Sequence, residues 1–136
     1  MSRILVAEDD PHILRLISMW LKRQGHEVVE ARNGLSARDL AQTQSIDVLV
    51  TDVNMPGMDG LELITAVLPS GLIRRGVVVL TNRWDHGEIR NRLAEWGVHV
   101  LPKPFSPTRL SELVELLTKT TVPGGPTVEP GTLAGK

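Results

Sequence analysis

Apolar residues in this chain form short unbroken runs separated by longer striped segments. Ile4-Leu5-Val6-Ala7 is such a run, and its lack of polar alternation predicts a strand buried on both faces. From Pro11, apolar residues recur at Ile13, Leu14, Ile17, Trp20 and Leu21, a helical stripe that stops at Gly25. Val28-Val29 restarts an extended segment. Asn33-Gly34 breaks it, and Leu35, Ala37, Leu40 and Ala41 mark a second, weaker helix. Ile46 to Val50 is the next strand, followed by a helix from about Gly60 to Leu68. Gly76 precedes Val77-Val78-Val79-Leu80, the strongest strand signal in the chain. A helix over roughly Asp85 to Trp96 ends at Gly97, Val98 to Leu101 forms a fifth strand, and Leu110, Leu113, Val114 and Leu117 mark a last helix after Pro107. Five rounds of strand then helix, with strands apolar throughout, predict an α/β domain around a parallel sheet.

The polar residues sit at particular places in this pattern. Glu8, Asp9 and Asp10 directly follow the first strand, Asp52 follows the third, Thr81 ends the fourth and Lys103 follows the fifth. Ligands of open α/β sheets bind outside the carboxyl ends of the strands, where strand order reverses. If the strands are parallel, these residues converge in one crevice. Carboxylates gathered there repel one another unless a cation lies among them. Hard oxygen ligands without Cys or paired His suit Mg²⁺, which also bridges to phosphate. Lys103 offers a point charge for a phosphoryl oxygen, and Thr81 a hydroxyl donor. A carboxylate can itself be the nucleophile and become an aspartyl-phosphate. The set therefore reads as nucleophile, metal site, lysine clamp and hydroxyl sensor.

Composition narrows the remaining classes. The 136 residues suit one domain and one core. Net charge is −1 and aromatics are 3%, which supports neither a basic field nor a base-stacking surface for nucleic acid. Cys is absent, which removes disulfides, thiolate metal sites and Cys nucleophiles. Met1-Ser2-Arg3 leads straight into a strand-like run and no stretch is long enough to span a bilayer, so a cytoplasmic location is expected. From Val122 the chain turns to Val-Pro-Gly-Gly-Pro-Thr-Val-Glu-Pro-Gly-Thr, which reads as a linker or a disordered end. The expected organisation is one domain over residues 1–121 and a tail over 122–136.

Four segments in register, Ile4–Pro11 (ILVAEDDP), Asp47–Leu63 (DVLVTDVNMPGMDGLEL), Val77–Arg83 (VVVLTNR) and Leu101–Phe105 (LPKPF), resemble the response-regulator receiver domain of two-component signalling. The resemblance runs from residue 3 to about 119. It implies a flavodoxin-like (βα)5 doubly wound sheet with strand order 2-1-3-4-5. It implies that Asp52 is the phosphoacceptor, with Thr81 and Lys103 contacting the phosphoryl group. It implies Mg²⁺ held by Asp9 directly, by Glu8 mostly through water, by Asp52, and by the backbone carbonyl of Asn54. Pro56 and Gly57 would fold the following loop over the metal, and Pro104 resembles the family's cis-proline behind the lysine. The implied partner is a histidine kinase or histidine phosphotransfer protein, and the implied output is a conformational change of the face made by the fourth helix, fifth strand and fifth helix. A phosphorylation-dependent homodimer is compatible with the resemblance; the output partner is not specified by it.

The sequence departs from the family pattern at the fifth strand, where Val100 stands in place of Tyr or Phe, and at Asn82, where a small residue is usual. A smaller or differently routed change is therefore expected, centred on Trp84 and residues 82–87. Arg83 and Asn54 stand where the family tunes dephosphorylation. Two other functions compete. One is a Mg²⁺-dependent phosphatase or phosphotransferase with an Asp nucleophile, but such enzymes carry a second Asp where Asn54 stands, and no capping insertion is present. The other is a receiver that binds a partner without phosphorylation, against which the full set Glu8, Asp9, Asp52, Thr81 and Lys103 argues. The expected role is that of a signalling domain and not an enzyme, acting alone or as part of a longer protein. Asp10 is expected to cap the first helix. Trp20 and Trp96 are expected in the core, Met55 and Met58 in loop packing, and His12, His26, His86 and His99 at the surface or facing a partner.

Overall fold

A computed structural model describes residues 2–81, 96–103 and 105–119. Five strands, β1 (Arg3–Ala7), β2 (Glu27–Ala31), β3 (Ile46–Asp52), β4 (Ile73–Thr81) and β5 (His99–Pro102), form one sheet in the order β2-β1-β3-β4-β5. All four pairings are parallel. This is the flavodoxin-like doubly wound arrangement expected from the sequence. Helices α1 (Pro11–Arg23), α2 (Gly34–Thr43) and α3 (Gly60–Val67) follow the first three strands, and a C-terminal helix (Pro107–Lys119) follows the fifth. The predicted helix over Asp85–Trp96 lies outside the described residues except for Trp96, as do Asn82, Arg83, Trp84, His86, Pro104 and the tail from Val122.

The uninterrupted apolar strands are explained by two cores, one on each face of the sheet. Leu5, Leu49, Val77 and Val79 point to one face and pack with Leu63 and Ile64 of α3. Ile4, Val6, Val48 and Val50 point to the other, against Leu14, Ile17 and Leu21 of α1 and Leu110 and Val114 of the C-terminal helix. Each fully buried aliphatic side chain contributes about 1.5–3 kcal/mol of transfer free energy.

Helix starts are fixed by side-chain caps. The Asp10 carboxylate accepts from the backbone N–H of His12 at 2.9 Å and of Ile13 at 3.3 Å, as expected, and Pro11 occupies the first turn. Asp59 and Glu62 form a reciprocal capping box that starts α3 immediately behind the loop after β3. The sequence carries its Asp-x-x-Glu signature.

Three expectations need correction. β4 begins at Ile73, not at Val77, because Gly76 does not interrupt the strand. Gly76 pairs with Val48, and a Cβ there would press on the Leu117 side chain at 2.8 Å, so the glycine admits the C-terminal helix. β5 is displaced by one residue, with Val98 buried but outside the strand and Pro102 inside it. Trp20 is half-buried and meets Phe105 edge-to-face at 6.1 Å, so it seals the seam between α1 and the loop before the C-terminal helix.

Candidate functional site

The strand order reverses between β1 and β3, which places a crevice at their carboxyl ends. Glu8 leaves β1 there, and its N–H donates to the carbonyl of Ala31 at 3.0 Å, tying it to the end of β2. Asp52 is the last residue of β3, and the N–H of Val53 donates to the carbonyl of Leu80 at 3.1 Å. The chain then folds back, with Gly60 N–H donating to the carbonyl of Val53 at 2.8 Å. At Gly60 an added Cβ would collide with the carbonyl oxygen of Asp52, so α3 can start this close only on a glycine. The buried Thr51 hydroxyl donates to that same carbonyl at 2.9 Å. Gly57, in the loop between, has φ 79°, a left-handed conformation suited to glycine.

Carboxylate oxygens of Glu8, Asp9 and Asp52 all lie within 4.8 Å of one another. Glu8 and Asp52 are buried, at 1% and 6% exposure, whereas Asp9 is exposed. Lys103 closes the group, with its ammonium 3.2 Å from Glu8 Oε1 and 3.4 Å from Asp52 Oδ1. The other Glu8 oxygen accepts from the Asp10 N–H at 3.1 Å. Lys103 is held in turn by its backbone, whose N–H donates to the Thr81 carbonyl at 2.7 Å. Thr81 itself is buried at the end of β4.

Burial pushes the Glu8 carboxyl above its ordinary range, and the neighbouring Asp52 charge adds to this; the Asp10 N–H and Lys103 oppose it. Burial likewise raises Asp52, Asp9 adds to it, and Lys103 and the Val53 N–H oppose. One ammonium thus faces three carboxylates, two of them desolvated. The donors are hard oxygens, with exposed Asp9 giving access from solvent, and this chemistry fits Mg²⁺.

The structure brings Glu8, Asp9, Asp52 and Lys103 together and sets Thr81 beside them. Asn54 is exposed in the loop after β3. Two participants were not singled out from sequence, the Thr51 hydroxyl and Gly60. Gly60 had a local signal, because a glycine at the first position of a capped helix is unfavourable unless close approach requires it. The histidines divide. His12 is exposed, but His26 has a side chain only 7% exposed, 3.8 Å from Glu115 of the C-terminal helix, and His99 is half-buried on β5. The expectation of a surface position is corrected for His26, whose side chain lies against Glu115 of the C-terminal helix.

The doubly wound sheet thus carries an acidic, lysine-closed crevice at its switch point, with a donor chemistry that fits a divalent cation. Residues 4–115 match the family model of the response regulator receiver domain, and the chain belongs to that family. It is 34% identical over 116 residues to the chemotaxis protein CheY homolog of Campylobacter jejuni, covering 83% of this chain and 89% of that protein. The Francisella response regulator 1452 receiver domain has a TM-score of 0.80 at 32% identity, covering 90% of this chain and 100% of that one. The receiver domain of sensor histidine kinase PA1611 from Pseudomonas aeruginosa PAO1, with a magnesium ion coordinated in its active-site cleft, has a TM-score of 0.74 at 25% identity, covering 85% and 96%. This chain is thus a receiver of the two-component type, and its acidic pocket is consistent with Mg²⁺ and with an aspartyl-phosphate site. No helix among the described residues is long and apolar enough to cross a membrane.

Proposed function

We propose that Asp52 is the phosphoacceptor and that a histidine kinase or histidine phosphotransfer protein is the donor. The observation that carries this is the buried Asp52 carboxylate within 3.4 Å of Lys103 and grouped with Glu8 and Asp9. An Asp52 oxygen attacks the phosphorus of phosphohistidine, a P–O bond forms, the P–N bond breaks, and the imidazole leaves with a proton taken from solvent. Lys103 then neutralises a phosphoryl oxygen, and the Thr81 hydroxyl donates to another. Glu8, Asp9, Asp52 and the carbonyl of Asn54 would hold Mg²⁺, with Asp9 in the inner shell and Glu8 acting mostly through water. Bound there, the ion supplies charge neutralisation for the crowded carboxylates and the incoming phosphoryl group.

The receiver occupies residues 1–121, with a Pro/Gly-rich tail or linker over 122–136, and acts in the cytoplasm as a signalling domain whose own chemistry ends at self-phosphorylation and autodephosphorylation. Its output runs through the predicted fourth helix, β5 and the C-terminal helix to a protein partner or a second copy, without direct contact to nucleic acid or membrane. The test is incubation with phosphoramidate and Mg²⁺ followed by intact mass. One phosphoryl adduct should form with Mg²⁺, fail to form with chelator, and be absent in Asp52→Asn; an undiminished adduct in that variant would overturn the assignment. Metal titration should show a greater loss of affinity in Asp9→Asn than in Glu8→Gln.

A further inference from the structure

Away from the acidic crevice, α1 and the edge strand β2 enclose a shallow groove of ≈ 400 Å³ lined by Arg15, Ser18, Met19, Lys22, Arg23 and Glu30. Three cations face one carboxylate, on a protein whose net charge is −1. None of the three, nor Glu30, forms an ion pair with another described residue. Lys22 and Arg23 lie in the last turn of α1, where cations complement the helix dipole. That does not account for Arg15, two turns earlier, nor for Ser18.

Ser18 supplies the independent observation. It is 3% exposed, and its Oγ is buried without a hydrogen-bond partner, although it lines the groove. The Oγ is closed to solvent as it stands, so an acceptor in the groove would bond it after a χ1 rotation of Ser18 toward the groove. Met19, 39% exposed, sits between the cations as an apolar contact. Arg15 and Lys22 are separated by two helical turns, about 10 Å, further than one phosphate or carboxylate spans.

We propose that this groove docks an acidic segment of a partner protein, with carboxylates reaching Arg15 and the Lys22–Arg23 pair, an apolar side chain on Met19, and an acceptor oxygen on Ser18. Glu30 limits the charge the groove accepts and disfavours an uninterrupted acidic run. The face is separate from Glu8, Asp9, Asp52 and Lys103, so binding here does not need phosphoryl chemistry.

The test uses a fluorescein-labelled synthetic peptide with glutamates flanking a leucine, titrated into the full chain and followed by anisotropy and backbone amide shifts. Binding should saturate, weaken with salt, and shift the amides of Ser18, Met19, Lys22 and Glu30. The double variant Arg15→Glu, Lys22→Glu should lose about tenfold or more in affinity, as expected for removing charge-assisted hydrogen bonds. Glu30→Lys should bind more tightly. Ser18→Ala should bind more weakly while melting no lower than the parent, a combination that a merely structural serine would not give. Each variant's fold is read from its amide spectrum. Equal binding of the glutamine counterpart, equal occupancy of the same amides by inorganic phosphate alone, shifts scattered over other arginines, or undiminished binding by the charge-reversed variant would each overturn the proposal.

Discussion

The backbone N–H of Lys103 donates to the carbonyl of Thr81 at 2.7 Å, so the residues that leave β5 and end β4 are joined before any side chain is considered. The Lys103 ammonium reaches Glu8 and Asp52 from that anchor. A displacement of Thr81 would therefore reach the lysine through its own backbone. Lys103→Ala should leave two buried carboxylates without their cation. We expect slower adduct formation with phosphoramidate and a lower melting temperature at neutral pH than at mildly acidic pH, measured by parallel adduct kinetics and thermal melts.

Carboxylate crowding gives a pH dependence of definite sign. Glu8 and Asp52 are raised in the folded state above their ordinary values of 4.5 and 3.8. Their stabilising contribution is present below those values and is lost as pH rises through the raised folded values, because ionisation is then costlier in the fold than in the unfolded chain. Without metal, Asp52→Asn should therefore be the more stable protein at neutral pH, by about 1 kcal/mol, with the advantage shrinking on acidification. Differential melts across pH, with and without Mg²⁺, check this; Mg²⁺ should narrow the gap by stabilising the parent more.

His26 and His99 give the opposite slope. Burial lowers both below 6.5, with Glu115 partly opposing at His26. Their contribution is present above that value and lost as pH falls through the lowered folded values. His26→Phe should remove part of the acid-induced loss of stability, measured as the parent-minus-variant melting difference below pH 6.5. A difference that stays constant with pH would contradict it.

Gly60 tests how tightly the phosphoacceptor is positioned. Gly60→Ala would drive a Cβ into the Asp52 carbonyl oxygen. Relief requires moving α3 or Asp52, and we expect about 1–3 kcal/mol of destabilisation with slower adduct formation. Gly25→Ala, at φ 95° with open space around it, should cost left-handed strain far from the site and leave adduct formation unchanged.

The site was legible because its logic is local. Apolar runs mark strands, acids and Lys103 follow their carboxyl ends, and a parallel sheet brings those ends together. Asp52, Glu8, Asp9 and Lys103 needed no long-range information beyond that rule. Gly76 was misread because a glycine within a strand looks like a break until the helix it admits, through Leu117, is known. His26 was misread for a similar reason, since its cover includes Glu115 from the far end of the chain. Burial set by distant packing leaves no mark in local periodicity.

Val100 pairs with Val79 and is half-buried against the core on that face. It lacks the bulk to follow Thr81 as an aromatic ring would. Binding of beryllofluoride, a phosphate mimic, should shift the amides of Thr81 and Lys103 strongly and those of His99 and Val100 weakly. Trp84 fluorescence should respond in a chain carrying Trp20→Phe and Trp96→Phe. A large β5 shift with unchanged Trp84 signal would show that the change runs through β5.

Chemical mapping decides whether Asp52 carries the phosphoryl group. The chain is phosphorylated with phosphoramidate and Mg²⁺, the acyl phosphate is reduced with borohydride, and the peptides are mapped by mass. Reduction is expected at position 52 alone, dependent on Mg²⁺ and lost with chelator. Reduction at Asp9, Asp10 or another acid, or a labelled chain with position 52 intact, would contradict it.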